Sequence, residues 1–215
     1  MQWNKHSDLE GKHAFLSASK HYWLGYSEER LITSFQNENR KELGTVLHAF
    51  AAANIENCIT MPKSNRDMIK MIKIFMLGQK SSRDLIDALT YLPLIVIDTL
   101  RAYINDAIGF KMKPEVVLFY SKYCFGTADT ISFRNKLLRI HDFKSGDIAA
   151  SMDQVMIYAA LFCLEYKINP ADIKIELRIY QGGEVKMYEP TAVEISGIGN
   201  HIIESDKTIK MFKGE

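Results

Sequence analysis

The chain has 215 residues, of which 47% are hydrophobic and 25% charged, and its formal net charge is +1. This length allows one domain with a substantial core, and the composition is that of an ordinary globular protein. The longest apolar run, LPLIVI, is far shorter than the roughly 20 residues of a membrane helix, and residues 1–13 contain no apolar signal core. We therefore expect neither membrane insertion nor export. Because the overall charge is nearly balanced, any nucleic-acid site must be a local basic patch.

The cysteines and the histidines near the start show no metal-ligand spacing. These residues are Cys58, Cys124, Cys163, His6, His13 and His21. The cysteines are odd in number, far apart and set among apolar residues, which predicts buried reduced thiols rather than a metal or redox site. The histidines lie in or just after a polar, loosely structured start, and we interpret them as exposed or capping side chains.

Helices are predicted throughout the first half of the chain. They are SASKHYWLGYSEERL with Ser17 or Ser19 as its cap, about residues 40–59, Ser64 to Gly78, a short piece after Ser82, and about residues 94–108 after Pro93. For Tyr22 and Trp23, packing in the core is favoured over stacking on bases. Four basic residues on these helices either line a phosphate track or are solvated: Lys70, Lys73, Lys80 and Arg83.

The helix at about residues 40–59 carries a histidine beside its buried stripe. The stripe consists of Leu43, Val46, Leu47, Phe50 and Ala51. His48 lies next to it, and on this observation alone it is interpreted as a hydrogen-bonded core residue.

Two predicted strands bring acidic residues together. PEVVLFYSKYCF begins the sheet and leads into the strand FGTADTISF, which NKLL joins to the strand LLRIHDFK as an antiparallel hairpin. Asp129 can then lie beside Asp142. Asp142 and Lys144 share one strand face, because side chains alternate along a strand. Two neighbouring carboxylates repel each other unless a cation such as Mg²⁺ or Mn²⁺ lies between them. Glu115 is either a further acid near this metal or a surface residue.

The remaining elements complete the predicted domain. SMDQVMIYAALFCLEY indicates a buried helix that projects Gln154 and Tyr158, four residues apart, from one face. IKIELRIY and EVKMYEP form a hairpin around Gln-Gly-Gly, a helix runs from Thr191 to about Ile203, and MFKGE is a frayed tail. The fold class is therefore α/β (α+β), with a central mixed sheet flanked by helices. We divide one domain, 1–215, into a mainly helical part (1–110), a catalytic sheet and helix (111–190), and a C-terminal helix and tail (191–215).

The motifs GTAD, HDFKSG and QVMIYA stand in this order, with 142 − 129 = 13 residues between the two aspartates. Upstream lie GTVLH, which ends at His48, and the serine-containing phrase FLSASKHYWLGY. Over residues 16–158 this pattern resembles the RecB-type branch of the PD-(D/E)XK nuclease superfamily, which includes the lambda-type exonucleases.

The resemblance implies a restriction-endonuclease-like core and a role for each motif residue. His48, Asp129, Asp142 and the Phe143 carbonyl would bind Mg²⁺ or Mn²⁺, and Lys144 would be the catalytic lysine. Gln154 and Tyr158 would lie against nucleic acid. The iron–sulfur relatives need four cysteines, so no iron–sulfur cluster is expected in a chain with three.

On this basis we expect a metal-dependent DNA nuclease, most simply an exonuclease at DNA ends in recombination or repair, in the cytoplasm of a bacterial or phage-infected cell. The alternative is a nucleic-acid-binding or docking module of the same fold that is active only with a helicase or annealing-protein partner. A further alternative is an unrelated α/β protein with a chance motif. A homo-oligomer is left open.

Overall fold

The computed structural model describes Lys5, Ser7 and residues 14–214. In chain order its α-helices and strands are α1 (Glu28–Glu56), α2 (Asn65–Gly78), α3 (Arg83–Ala88), α4 (Leu94–Gly109), β1 (Lys113–Ser121), β2 (Cys124–Arg134), β3 (Leu137–Lys144), α5 (Asp153–Glu165), β4 (Lys174–Gln181), β5 (Glu184–Tyr188) and α6 (Ala192–Lys213). Short 3₁₀ helices lie at Ala18–Gly25, Leu89–Tyr91 and Pro170–Asp172. None of the helices described is long and apolar enough to cross a membrane.

The five strands form one mixed sheet in the order β1-β2-β3-β4-β5. The first three strands pair antiparallel, and α5 connects β3 to β4, which lies parallel to it. The edge strand β5 pairs antiparallel with β4. The β2–β3 hairpin turns at Asn135 and Lys136, whose φ values of 50° and 60° are those of a two-residue hairpin turn. The predicted class, a mixed sheet flanked by helices, is confirmed.

Helices cover both faces of the sheet. On one face α5 and α6 pack with side chains such as Leu138, Ile140 and Leu177 into one apolar cluster. On the other face α1, α2 and α4 form a second cluster that includes Phe143 and Tyr180. Adjacent residues of β3 therefore belong to opposite cores, as the alternation of a strand buried on both faces requires.

At the centre of the sheet β2 and β3 pair over only part of their length and then separate, and we call this separation the fork. The pairing of β2 with β3 ends at Thr130 and His141. Beyond this point residues 124–128 of β2 continue to pair with β1, and residues 142–144 of β3 continue to pair with β4. Asp129 and Asp142 are the first residues past the last β2–β3 pair, so both lie at the base of the fork.

Helix starts follow the predicted caps at Ser64 and Ser82, and the helix predicted from Thr191 is also capped. The side chains of Ser64, Ser82 and Thr191 each accept a hydrogen bond from the backbone N–H three residues on. At Thr191 the Glu194 side chain accepts in return from the Thr191 N–H, which completes a capping box. α4 also begins after Pro93 as predicted.

Two predictions for the first helices are wrong. α1 begins at Glu28, where Ser27 caps it, and not near residue 40. The segment predicted as the first helix divides: Ala18–Gly25 forms a 3₁₀ helix without a side-chain cap, the backbone is extended at Tyr26, and the last residues of the segment, from Glu28, begin α1. None of the residues of this 3₁₀ helix is buried, so Tyr22 and Trp23 do not enter the core. The predicted loose start at residues 1–13 lies outside the described residues except at Lys5 and Ser7.

The C-terminal helix and one cysteine also differ from the predictions. α6 continues to Lys213, ten residues past the predicted end, and Gly214 closes it with φ 73°. It continues because Ile202 and Asp206 are buried in its later turns, so tertiary packing outweighs the glycines that SGIGN contains. Cys163 is buried as predicted, whereas Cys58 is exposed and Cys124 half-buried, all three being free thiols. His21 is exposed as expected, and His6 and His13 lie outside the described residues.

Candidate metal centre

Three potential metal ligands converge at the base of the fork. α1 supplies His48, β1 supplies Glu115 and β2 supplies Asp129, and their ligand atoms all lie within 4.8 Å of one another. They line an open cleft of about 430 Å³ together with Lys41, Gly44, Thr45 and Lys144. One imidazole nitrogen and two carboxylates are a donor set suited to a divalent cation.

Gly44 lets α1 come close enough to bring His48 to the sheet. A Cβ atom at this position would lie 3.0 Å from the Ser145 Oγ, in the loop that follows β3. Because residues four apart share a helix face, the turn that approaches this loop also directs His48 toward the fork. A side chain at position 44 would require the Ser145 hydroxyl to move by a few tenths of an ångström.

Asp129 is held by two groups that come from different elements. Its Oδ2 accepts a hydrogen bond from the Phe143 N–H at 3.0 Å and lies 3.3 Å from the His48 Nδ1. The Phe143 carbonyl is also within hydrogen-bond reach of the His48 imidazole. The backbone of Phe143 thus faces the cleft, while its ring packs in the core on the α1 side.

Asp142 begins a row of polar contacts that runs to α5. It is 1% exposed, and the Lys144 Nζ lies 3.1 Å from its Oδ1 and 3.0 Å from its Oδ2. The same ammonium donates to the Gln154 Oε1 at 2.8 Å, and the Gln154 Nε2 donates to the Tyr158 hydroxyl at 3.1 Å. The structure therefore brings these four predicted site residues together, with Asp142 turned toward Lys144 rather than included in the group of three ligands.

Tyr158 lies directly over the glycine of the GTAD motif. A Cβ atom at Gly126 would lie 2.9 Å from the Tyr158 Cε1, which is closer than side chains approach one another. Glycine at this position thus allows the Tyr158 ring to rest on β2. This places the end of the polar row beside the strand that carries Asp129.

The two aspartate carboxyl groups of the site are poorly solvated, whereas Glu115 is exposed. Burial raises the pKa of Asp129 to about 6, with Glu115 acting in the same direction and the Phe143 N–H and Lys144 opposing it. Burial and the neighbouring Asp129 raise the pKa of Asp142 to about 6, and Lys144 opposes this shift. Burial lowers the pKa of His48, so near neutral pH its imidazole is uncharged and able to donate a lone pair. A bound cation would relieve the repulsion between these carboxylates.

Glu115 is the ligand whose role sequence reasoning left open. The pairs on either side of it, Pro114 with Thr130 and Val116 with Ala128, place it opposite Asp129. Its φ of 52° is left-handed, which costs about 1–2 kcal/mol for a residue with a side chain. The sequence signal was an acidic residue at the start of the strand. Its partner on β2 is decided by the β1–β2 register, which the sequence does not reveal.

The basic residues at the cleft are not those predicted. Lys70, Lys73, Lys80 and Arg83 are exposed, and none of them lines the cleft. Lys41 lines it instead, and Arg40 and Lys41 also line a larger groove of about 1280 Å³ that runs from Lys144 between α1, α3 and the 145–148 loop. Positive charge suited to phosphate therefore comes from the middle of α1.

The DUF2800 family, described as a protein of unknown function, matches residues 13–208. The chain belongs to this family. No curated protein and no solved structure matches it. The DUF2800 match includes the ligand group, Lys144 and the contacts that extend to Tyr158.

Proposed function

We propose that this DUF2800 protein is a divalent-metal-dependent DNA nuclease with the restriction-endonuclease-like core of the RecB-type branch of the PD-(D/E)XK superfamily. The observation that carries the proposal is the convergence of His48, Glu115 and Asp129 in one cleft with Lys144. A lone Asp-x-Lys on a strand is more often a surface ion pair. Here a histidine and two further acids from three separate elements meet beside it.

The residues present fit a hard divalent cation. His48, Glu115 and Asp129 offer one nitrogen and two carboxylate donors, and the Phe143 carbonyl, which the resemblance implies as a further ligand, faces the His48 imidazole. The buried Oδ2 of Asp142 makes no hydrogen bond, although Lys144 lies 3.0 Å away, so it retains lone pairs that a cation can use. Asp142 is therefore the next ligand beyond the group of three.

When bound, Mg²⁺ or Mn²⁺ supplies an acidified water and charge stabilisation at a phosphodiester. The chain itself supplies positioning and a fixed cation. Asp142 and Gln154 hold the Lys144 ammonium in place, where it can donate to a phosphate oxygen as negative charge develops. Tyr158, held by the Gln154 amide, offers its hydroxyl to the phosphate backbone.

The proposed substrate is the end of a DNA strand, and the proposed mode is exonucleolytic, in recombination or repair. A cleft open to solvent and joined to a long groove supports a polymeric substrate over a small metabolite. The groove carries charges of both signs, since Asp84, Asp87 and Asp147 line it as well as Arg40 and Lys41, and Asp147 lies 3.8 Å from Arg40. The basic side chains that support phosphate binding are therefore Lys41 and Lys144, which also line the cleft.

The test is digestion of end-labelled linear duplex DNA, linear single-stranded DNA and a covalently closed circle, in Mg²⁺, Mn²⁺ or EDTA. Lys144→Ala is the site variant, and Lys174→Ala, at an exposed lysine at the start of β4, is its matched control. We expect metal-dependent loss of the linear substrates that Lys144→Ala abolishes and Lys174→Ala preserves. Equal cleavage by Lys144→Ala and wild type would refute the proposal. A folded protein that binds DNA without cutting any substrate would favour the module that needs a helicase or annealing partner.

A further inference from the structure

Two phenylalanine rings stand exposed on the β1–β2 hairpin. Phe119 is 48% and Phe125 61% exposed, and their ring centroids lie 6.4 Å apart with the planes inclined by 30°. Next to them Val117 is 55% exposed, and Thr127 is exposed as well. Single exposed apolar residues are common, but a contiguous aromatic face on a strand pair indicates a contact surface.

This exposed face continues along β1 and β2 from the metal centre toward the β1–β2 turn. Val117 pairs with Thr127 and Phe119 pairs with Phe125, and these are the next two rows after Glu115 and Asp129. Because alternate residues share a strand face and each residue rises about 3.3 Å, the ring pair stands about 13 Å from the ligand row. The distance corresponds to about four nucleotides at the stacked spacing of 3.4 Å, and to fewer in a stretched strand.

The face lies on the same side of the sheet as His48. The alternating residues Leu118 and Ala128 pack into the cluster around α5. The intervening residues, including Phe119 and Phe125, therefore point to the opposite side, where α1 lies. A DNA strand bound at the ligand group can therefore reach the two rings without passing around the edge of the sheet.

We propose that Phe119 and Phe125 stack on the bases of an unpaired DNA strand whose phosphate occupies the metal centre. This inference rests on the proposed nuclease function and specifies its substrate as single-stranded DNA or a duplex with a frayed end. The pair between the ligand row and the rings, Val117 with Thr127, carries no charge, so a duplex, which is held mainly through its phosphates, gains little from it. Unpaired bases, whatever their sequence, can stack on the exposed rings.

The test is binding of fluorescent oligo(dT) of 12 nucleotides and of a blunt 12-base-pair duplex, measured by anisotropy in EDTA so that nothing is cut. The variant is Phe119→Ala with Phe125→Ala, and the matched control is Phe212→Ala, a ring 88% exposed on α6. We expect the double variant to bind oligo(dT) roughly tenfold to a hundredfold more weakly, as the loss of one or two stacked bases predicts. Binding of the duplex should change less than twofold, and Phe212→Ala should bind both substrates as wild type does. Because both rings are exposed, the melting temperature of the double variant should stay near that of wild type.

A second measurement separates this inference from the proposed function. Hydrolysis of bis(p-nitrophenyl) phosphate with Mn²⁺ needs the metal centre but not the rings, so we expect the double variant to retain it and Lys144→Ala to lose it. If wild type does not hydrolyse this compound, the proposed function fails while the binding comparison still decides the stacking. Unchanged oligo(dT) affinity in the double variant, or no oligo(dT) binding by wild type, overturns the inference. A change of molecular mass in light scattering with unchanged DNA affinity also overturns it, because the face would then be a contact between protein copies.

Discussion

Replacing Asp129 with asparagine should stabilise the metal-free protein while abolishing its activity. The carboxyl group is poorly solvated at the base of the fork, where burial and Glu115 raise its pKa to about 6. Asparagine has nearly the same shape, carries no charge and keeps an oxygen that can accept from the Phe143 N–H. The substitution therefore removes an unfavourable charge with little change in packing.

The magnitude follows from the pKa. A folded-state pKa of about 6 against an ordinary value of 3.8 corresponds to about 3 kcal/mol at 1.36 kcal/mol per pH unit. Because the folded pKa is the higher one, the folded state retains a proton that the unfolded state has lost between about pH 4 and 6. The stability of wild type therefore falls as the pH rises through that window. This value already includes the attraction to Lys144. We expect a gain of about 1–3 kcal/mol at pH 8, or roughly 2–12 °C in melting temperature for a domain of this size.

The assay is thermal unfolding in EDTA from pH 4 to pH 8, with Asp147→Asn as a control at a carboxylate that is 88% exposed and lines the larger groove. The advantage of Asp129→Asn over wild type should grow from pH 4 to pH 6 and then stay constant, and Asp147→Asn should show no such trend. Adding Mn²⁺ should raise the melting temperature of wild type and leave that of Asp129→Asn almost unchanged. A melting temperature of Asp129→Asn below that of wild type at pH 8 in EDTA would refute the reasoning.

Three further substitutions test the roles of single residues. Lys144→Ala should lower kcat at least a hundredfold while the Mn²⁺-induced rise in melting temperature persists, because the ammonium is not a ligand. Glu115→Gln should weaken Mn²⁺ binding in calorimetry roughly tenfold or more without destabilising the metal-free protein, and unchanged affinity would exclude it as a ligand. Gly126→Ala should cost about 1–3 kcal/mol in urea unfolding, because its Cβ would lie 2.9 Å from the Tyr158 ring. Adding Tyr158→Ala to Gly126→Ala should recover part of that loss of stability. If the free-energy costs of the two substitutions were strictly additive, the added methyl group would not be in contact with the Tyr158 ring.

Sequence reasoning succeeded where a local signal determines the structure. Ser64 and Ser82 cap helices as predicted, and the last helix begins at the predicted Thr191, since a cap needs only the N–H three residues away. It failed at both ends of the chain for the opposite reason. The start of α1 depends on Ser27 rather than on the apolar stripe, and α6 extends to Lys213 because Asp206 and its neighbours pack against other elements.

The predictions for the candidate site succeeded and failed for the same reasons. Asp129 and Asp142 were predicted to be neighbours because the short turn at Asn135 fixes how β2 meets β3. Glu115 could not be placed, because a register irregularity between Phe119 and Ser121 follows it in the β1–β2 hairpin and the sequence does not reveal the offset. The contact between Asp142 and Lys144 follows from the predicted alternation along β3. That His48, Glu115 and Asp129 form the ligand group without Asp142 depends on side-chain packing that no sequence pattern expresses.

The fork itself explains why the acidic residues lie where they do. Where β2 and β3 separate, the Phe143 N–H faces β2 without a backbone partner on that strand, and a buried donor of this kind needs an acceptor. Asp129 provides the acceptor, but a carboxylate has more lone pairs than one N–H can satisfy, and Glu115 adds charge beside it. The break in the sheet thus produces a site that is unfavourable when empty and favourable around a cation. Its raised pKa values and left-handed Glu115 are costs that we expect metal binding to offset.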